Sequence, residues 1–438
     1  MEVTTSRPAA TTIPSGGRLA RYPLLRPLRS RDFRFLWAGQ GVSLLGDQFH
    51  MVALAWLVLG LTGSGLALGL VLVASAIPRA VLIIFGGALA DRIPPRTLLL
   101  VSDIARGLTV GALTALILTG RVEVWHLVVM GVLFGIVDAL FFPALNTIVP
   151  SLVENDRLEA ANAIVQGTTQ LTGLIGPAVA GVLVAAVGTG AAFAIDTLSF
   201  GIAAVCIASI RPVARVGTGG ASTTDPAELA EPVARPSILA EIKAGFRYAA
   251  SDSAIATLLV LSAALNLAFN GPIAVGLPWL ASERFGGDAA LFGVMIAGFG
   301  GGAVIGAIAA GSLPRPTRQG RLLLAIALGL GIGIAAIGFA PSPVIVIALL
   351  AAMGLAIGYV NVIVIAWLQA RIDPEMRGRV MGLVMFASFG LAPISLAVAG
   401  VLVDVAATAM FVAAGAIVLA AVGVGLLSGA ARRLDLPA

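Results

Sequence analysis

Charge is scarce in this chain. Only 11% of its 438 residues are Asp, Glu, Lys or Arg and 59% are hydrophobic, whereas a soluble domain is about a quarter charged. With a mean hydropathy of +1.03, a soluble globular fold is excluded. Cysteine occurs once, at Cys206, so a disulfide within the chain and a thiolate metal site are both excluded. The two histidines, His50 and His126, fall in different apolar runs, which leaves no metal site and argues against an intramembrane enzyme. The sole lysine, Lys243, follows no glycine-rich phosphate loop, so no ATP site is expected. The isoelectric point near 10.3 is no sign of nucleic acid, because the basic residues are scattered over short loops rather than gathered in a patch.

Long apolar runs are abundant. Each is roughly 20 residues or more, enough for a helix to cross about 30 Å of hydrocarbon. Twelve segments are expected, at about 34–60, 66–90, 97–119, 124–149, 163–187, 190–210, 254–281, 290–312, 321–340, 343–368, 380–403 and 408–428. The fold class is therefore an all-α membrane protein of twelve transmembrane helices. Of 27 basic residues, 23 fall in the two tails and the loops on their side, so both termini are expected to be cytoplasmic. Residues 1–32 mix Pro, Ser, Thr, Gly and Arg without the apolar core of a cleavable signal, and read as a disordered tail. Residues 33–210 and 254–428 make two six-helix bundles. Residues 211–253 are a linker containing a short amphipathic helix, and 429–438 a second tail.

Internal echoes support duplication. ALAWLVLG in segment 1 resembles GLPWLASE in segment 7, with Trp56 and Trp279 aligned; Gly87 aligns with Gly311 in the following loop. GLIGPAVAGVLV in segment 5 has a looser echo in GLAPISLAVAGVLVD of segment 11, where Pro177 matches Pro393. The loop GGALADRIPPR, with Gly87, Leu89, Ala90, Asp91, Arg92 and Arg96, resembles the signature after helix 2 of the major facilitator superfamily. PEMRGRVMG, with Arg377, Gly378 and Arg379, resembles the loop before its helix 11. GPAVAG, with Gly176, Pro177 and Gly181, resembles the helix 5 motif of its antiporters, Ala180 replacing one glycine. LWAGQGVSLLGDQFHMVALAWLVL, FFPALNTIVPSLVENDRLEAANAI and AIDTLSF are similar to the branch holding macrolide efflux proteins and the enterobactin exporter. That resemblance implies a transporter of two pseudo-symmetric bundles around a central cavity.

Charged residues inside the segments need a partner or a task, since each costs about 2.5–3.5 kcal/mol on insertion scales. Asp91 stands at the C-terminal end of segment 2, where the helix dipole disfavours an acid. Within the implied fold it can latch onto the N-terminus of segment 11 beside Arg377, Gly378 and Arg379, with Gly87, Arg92 and Arg96 completing the latch. The plainer alternative is a loop whose charge only sets topology. Counting along the helices brings Asp47 to the height of Arg79, and His50 lies one turn from Asp47. These residues, with Arg106 and Asp138, are the candidates for proton coupling; a permanent ion pair that pins segments 1 and 2 is the alternative. Asp103 and Arg106, three apart, read as a local pair for which Asp138 competes, and Asp196 as a packing contact on a peripheral helix.

Gln166, Gln170, Asn266, Asn270, Tyr359 and Asn361 are neutral hydrogen-bonding groups on segments expected to face the cavity, although each alone also fits a helix-packing role. GFGGGAVIG at 298–306 has a loose dinucleotide-like spacing but lies inside segment 8, where close packing explains it. The combined expectation is a monomeric, proton-driven exporter of amphiphilic small molecules such as drugs or siderophores in a bacterial inner membrane, whose partners are its substrate, protons and lipid. An importer on the same fold and a non-transporting membrane protein are the alternatives.

Overall fold

The computed structural model describes residues 23–90, 93–211, 238–314, 318–373 and 376–427. All regular structure among them is helical. A 3-10 turn at Pro23–Arg29 leads into α1 (Arg31–Thr62), so helical structure begins inside the stretch expected to be a disordered tail. Ser30 explains the start: its Oγ accepts from the Phe33 N–H (3.3 Å) and donates to the Leu152 carbonyl (2.9 Å), capping α1 and tying it to α4. α2 (Gly65–Ala90), α3 (Pro95–Leu118), α4 (Val124–Leu152) and α5 (Leu158–Ala208) complete the N-terminal half.

The amphipathic α6 (Ile238–Ser251) opens the C-terminal half, as its apolar spacing predicts. α7 (Ser253–Gly271) continues through wider turns to Arg284, followed by α8 (Ala289–Ser312), α9 (Gln319–Ile337), α10 (Pro343–Arg371), α11 (Arg377–Met385) and α12 (Ala392–Leu427). Ten helical stretches among the described residues are long and apolar enough to cross a membrane. Two of these are too long for one crossing. α5 has 51 residues, about 76 Å of helix, and breaks at Gly188 (φ 84°, ψ 170°), a conformation that side chains rarely adopt. α12 has 36 residues and breaks at Ala406 (φ −160°, ψ 75°). Both breaks fall in the gaps between expected segments.

Within the N-terminal half α1 and α3 pack on α5, and α2 on α4. In the C-terminal half α8 packs on α10, and α12 on α7 and α9. The halves meet where α5 touches α8 and α12 touches α2. We call the helix ends near Thr62, Leu118, Gly188, Arg284, Ile337 and Ala406 the far side, and the opposite ends the termini side. One apolar core, from Val52, Leu57 and Val58 through Leu277 and Phe292 to Val403 and Phe411, joins both halves toward the far side. Toward the termini side it divides into one core around Phe33, Leu99 and Ile207 and another around Ile255, Leu368 and Val380.

The start of α7 is clamped. Asp252 accepts from the Ala254 N–H (2.8 Å) and from Arg371 Nε (2.7 Å) at the end of α10. Burial pushes this carboxyl up, but the Arg371 hydrogen bond and charge and the backbone amides outweigh it and hold it below its ordinary value of 3.8. A depressed carboxylate contributes stability that is complete above 3.8 and lost as pH falls through the lower value reached in the folded protein. Asp252→Ala should therefore lower the melting temperature at pH 7 by an amount corresponding to about 1–2 kcal/mol. In thermal melts of the detergent-solubilised protein, the gap from wild type should narrow once the pH drops below that range.

Candidate functional site

Five stretches of helix converge on one charged cluster in the N-terminal half. α1 supplies Gln40, Asp47 and His50, α2 Arg79, α3 Asp103 and Arg106, α4 Phe134, Asp138 and Phe141, and α5 beyond Gly188 supplies Phe193, Asp196 and Phe200. Arg106, only 3% exposed, donates through Nη2 to Asp138 Oδ1, and Arg79 Nη1 lies 3.8 Å from Asp138 Oδ2. One carboxylate thus serves two guanidinium groups from different helices. The Arg106 guanidinium also lies over the Phe141 ring at 4.2 Å and near Phe200 at 5.8 Å. The expected local pair of Asp103 with Arg106 does not form, because Arg106 turns between these rings toward α4. Asp103, fully buried, instead accepts from Gln40 Nε2 at 3.4 Å. Asp103 Oδ1 and Arg106 Nε are buried without a hydrogen-bond partner among the described residues.

The expected meeting of Asp47 with Arg79 is likewise not made: Arg79 reaches α4 instead. Asp47 is half-buried and has no hydrogen bond or ion pair among the described residues, yet it lies within Coulombic reach of Arg106, Asp138, Asp196 and His50. His50 does not pair with Asp47. Its Nδ1 is 3.0 Å from Oδ2 of the fully buried Asp196, its ring stacks on Phe134 at 4.8 Å, and Phe193 meets it edge-on at 5.3 Å. Asp196 is therefore a member of the cluster that the sequence reading passes over as a packing contact. A signal was present in Gly46: a Cβ there would come within 2.6 Å of Asp196 Oδ1, so the helices meet at this height only because α1 has no side chain there.

The C-terminal half holds a cavity of about 530 Å³ between α7, α8, α9, α10 and α11. Its wall is apolar, with Leu261, Phe269 and Phe299 among its residues, and it includes no charged side chain. Asn266, Asn270 and Asn361 supply polar lining. Asn266 and Asn270 each donate from Nδ2 to the carbonyl one turn back, at 2.9 and 2.8 Å, so the amide orientation is set by the helix itself. Gln166 and Gln170 are exposed on α5, and Tyr359 lies against Gly306 of α8; none of the three lines this cavity.

The antiporter-like motif occupies two interfaces. A Cβ on Gly176 would meet Gln48 of α1, whereas one on Gly181 would lie 3.0 Å from Cα of both Ala290 and Gly293 on α8. Of the expected latch, Asp91 and Arg92 lie outside the described residues. Gly87 lies in the last turns of α2, and Arg377, Gly378 and Arg379 open α11. Arg96 donates to the carbonyls of Ile207 (3.2 Å) and Ala208 (2.6 Å), where a cation suits the C-terminal end of α5.

The chain has relatives that match most of its length. The multidrug efflux pump Tap of Mycolicibacterium fortuitum is 26% identical over 368 residues, 82% of this chain and 86% of that one. Macrolide efflux protein A of Streptococcus pyogenes is 24% identical over 356 residues, 80% and 84% of the two chains. In fold, the chain is similar to a bacterial homologue of the iron transporter ferroportin in its inward-facing state (TM-score 0.69, 17% identity, 93% and 99% coverage). It is also similar to the nucleoside transporter NupG (TM-score 0.66, 12% identity, 91% and 99% coverage). Residues 23–437 match the transmembrane secretion effector family. The chain is a multi-pass membrane protein of that family, within the major facilitator superfamily.

Proposed function

We propose that the chain is a secondary active transporter that exports amphiphilic small molecules in exchange for protons across a bacterial inner membrane. It works as a monomer of twelve crossings in two six-helix bundles with both termini cytoplasmic, and without ATP or a bound cofactor. The breaks at Gly188 and Ala406 support twelve crossings, since each divides a helix too long for one span. With the termini inside, the shared far-side core and the divided termini-side cores support an inward-open conformation. The names of the relatives, multidrug and macrolide efflux, favour export of bulky amphiphiles, and an apolar, uncharged cavity of about 530 Å³ suits them.

The observation that carries proton coupling is the charge inventory of the cluster. Asp47, Asp103, Asp138 and Asp196 face two guanidinium groups and one imidazole. Four carboxylates against three basic groups leave the cluster negative unless it retains protons, and excess charge inside a membrane is costly. Asp47, which no direct partner holds, is the group whose protonation can change as the helices move. A cargo that displaces Arg79 from Asp138 alters the same balance.

The direct test uses inside-out membrane vesicles and a panel of macrolides and other amphiphiles. An acidic lumen should drive accumulation of at least one compound, and a protonophore should abolish it. Accumulation indifferent to the pH gradient contradicts proton exchange, and proton-driven movement out of the vesicles identifies an importer. Asp47→Asn separates coupling from binding. It should keep downhill flux while reducing gradient-driven accumulation at least tenfold; full accumulation would remove Asp47 from the coupling step.

A further inference from the structure

Asp404 belongs neither to the charge cluster nor to any candidate site residue above. It stands at the far end of the first part of α12, and its carboxylate crosses to the other half of the chain. Oδ1 accepts from the Gly65 N–H at 2.7 Å; Oδ2 accepts from the Leu66 N–H at 3.0 Å and from Ser64 Oγ at 2.7 Å. The Trp279 ring lies beside this contact, its Cδ1 3.4 Å from where a Cβ on Gly65 would stand. Gly65 and Leu66 open α2, so their N–H groups have no carbonyl partner within the helix, and the helix dipole there favours an anion. Beneath this contact the two backbones touch: a Cβ on Gly69 would lie 2.8 Å from Cα of Gly400 and 3.0 Å from the Leu396 carbonyl.

The seam between α5 and α8 has the same design. A Cβ on Gly181 would meet Ala289, Ala290 and Gly293, and one on Gly400 would meet Gly65, Leu66 and Gly69, each 224 positions earlier. Position 288, which corresponds to Ser64 at that offset, holds Asp288. Its Oδ1 accepts from the N–H groups of Ala290 (3.0 Å) and Leu291 (3.2 Å) within its own helix start. α8 thus carries its own capping carboxylate, whereas α2 has a serine in that place and takes Asp404 from the opposite half. The two seams are alike in backbone approach and differ in charge.

We propose that Asp404 is the far-side latch of the transport cycle: a positioning residue whose hydrogen bonds to the N-terminus of α2 favour the closed far side and are released each time that side opens. It acts through the helices and touches no cargo. Because Asp404 is exposed, water takes over its contacts on opening, so the latch biases the equilibrium without locking it.

The test is a distance measurement on the full chain in lipid nanodiscs without substrate, which makes its outcome independent of transport direction and proton coupling. Spin labels are placed at Arg121→Cys and Phe339→Cys, exposed far-side positions in opposite halves, in a Cys206→Ser background. Asp404→Ala should raise the ratio of long to short distances about tenfold, and Asp404→Asn should raise it less. Asp288→Ala should lower the melting temperature and leave the ratio unchanged. If Asp404→Ala does not reconstitute, Asp404→Asn and Ser64→Ala carry the same comparison. An unchanged ratio in the Asp404 variants, or an equal shift in Asp288→Ala, overturns the latch.

Discussion

A charge placed in the apolar interior of a membrane protein must be met by another charge or by hydrogen bonds, and the N-terminal half is organised around that demand. Asp138 answers it for two arginines at once: Arg106, enclosed by Phe141 and Phe200, and Arg79 from the neighbouring α2. The helices that supply these groups cannot shift independently without leaving one of them unpaired. The same demand joins α1 to α5 through His50 and Asp196. Asp47 is the exception, close to these charges but paired with none, and exceptions of this kind are where a membrane protein can exchange a proton.

The C-terminal half solves a different problem. Its cavity has aromatic and aliphatic walls with three amides, two of them anchored along α7, so it can take up apolar surface without an obligatory charge partner. The halves thus differ in chemistry: one gathers buried charge, the other encloses an apolar cavity. The seams between them are built from glycine, because only without side chains can α5 approach α8 and α2 approach α12 closely enough for backbone atoms to touch.

Much of the helical layout is legible in the sequence, and the reason is hydropathy. The gaps expected between segments 5 and 6 and between 11 and 12 contain the breaks at Gly188 and Ala406, and the amphipathic spacing of ILAEIKAGFRYAAS becomes α6. Pairing is much less legible. Arg106 has one acid on its own helix and another on α4, and the choice falls to the rings of Phe141 on α4 and Phe200 on α5. Asp196 reads as a mere packing contact because its helix is taken as peripheral, although Gly46 on α1 marks the approach. Asp404 is one letter at the end of GVLVD, and its role requires knowing that α2 begins beside it.

Exchange of protons between the charge cluster and the cargo cycle is measured by counting protons on binding. Calorimetric titration of the purified transporter with an exported compound, repeated in buffers of different ionisation enthalpy, reports the number of protons released. A net release of protons is expected near neutral pH, reduced in Asp47→Asn. Binding with no proton release in any of these buffers would rule out proton exchange at the cluster.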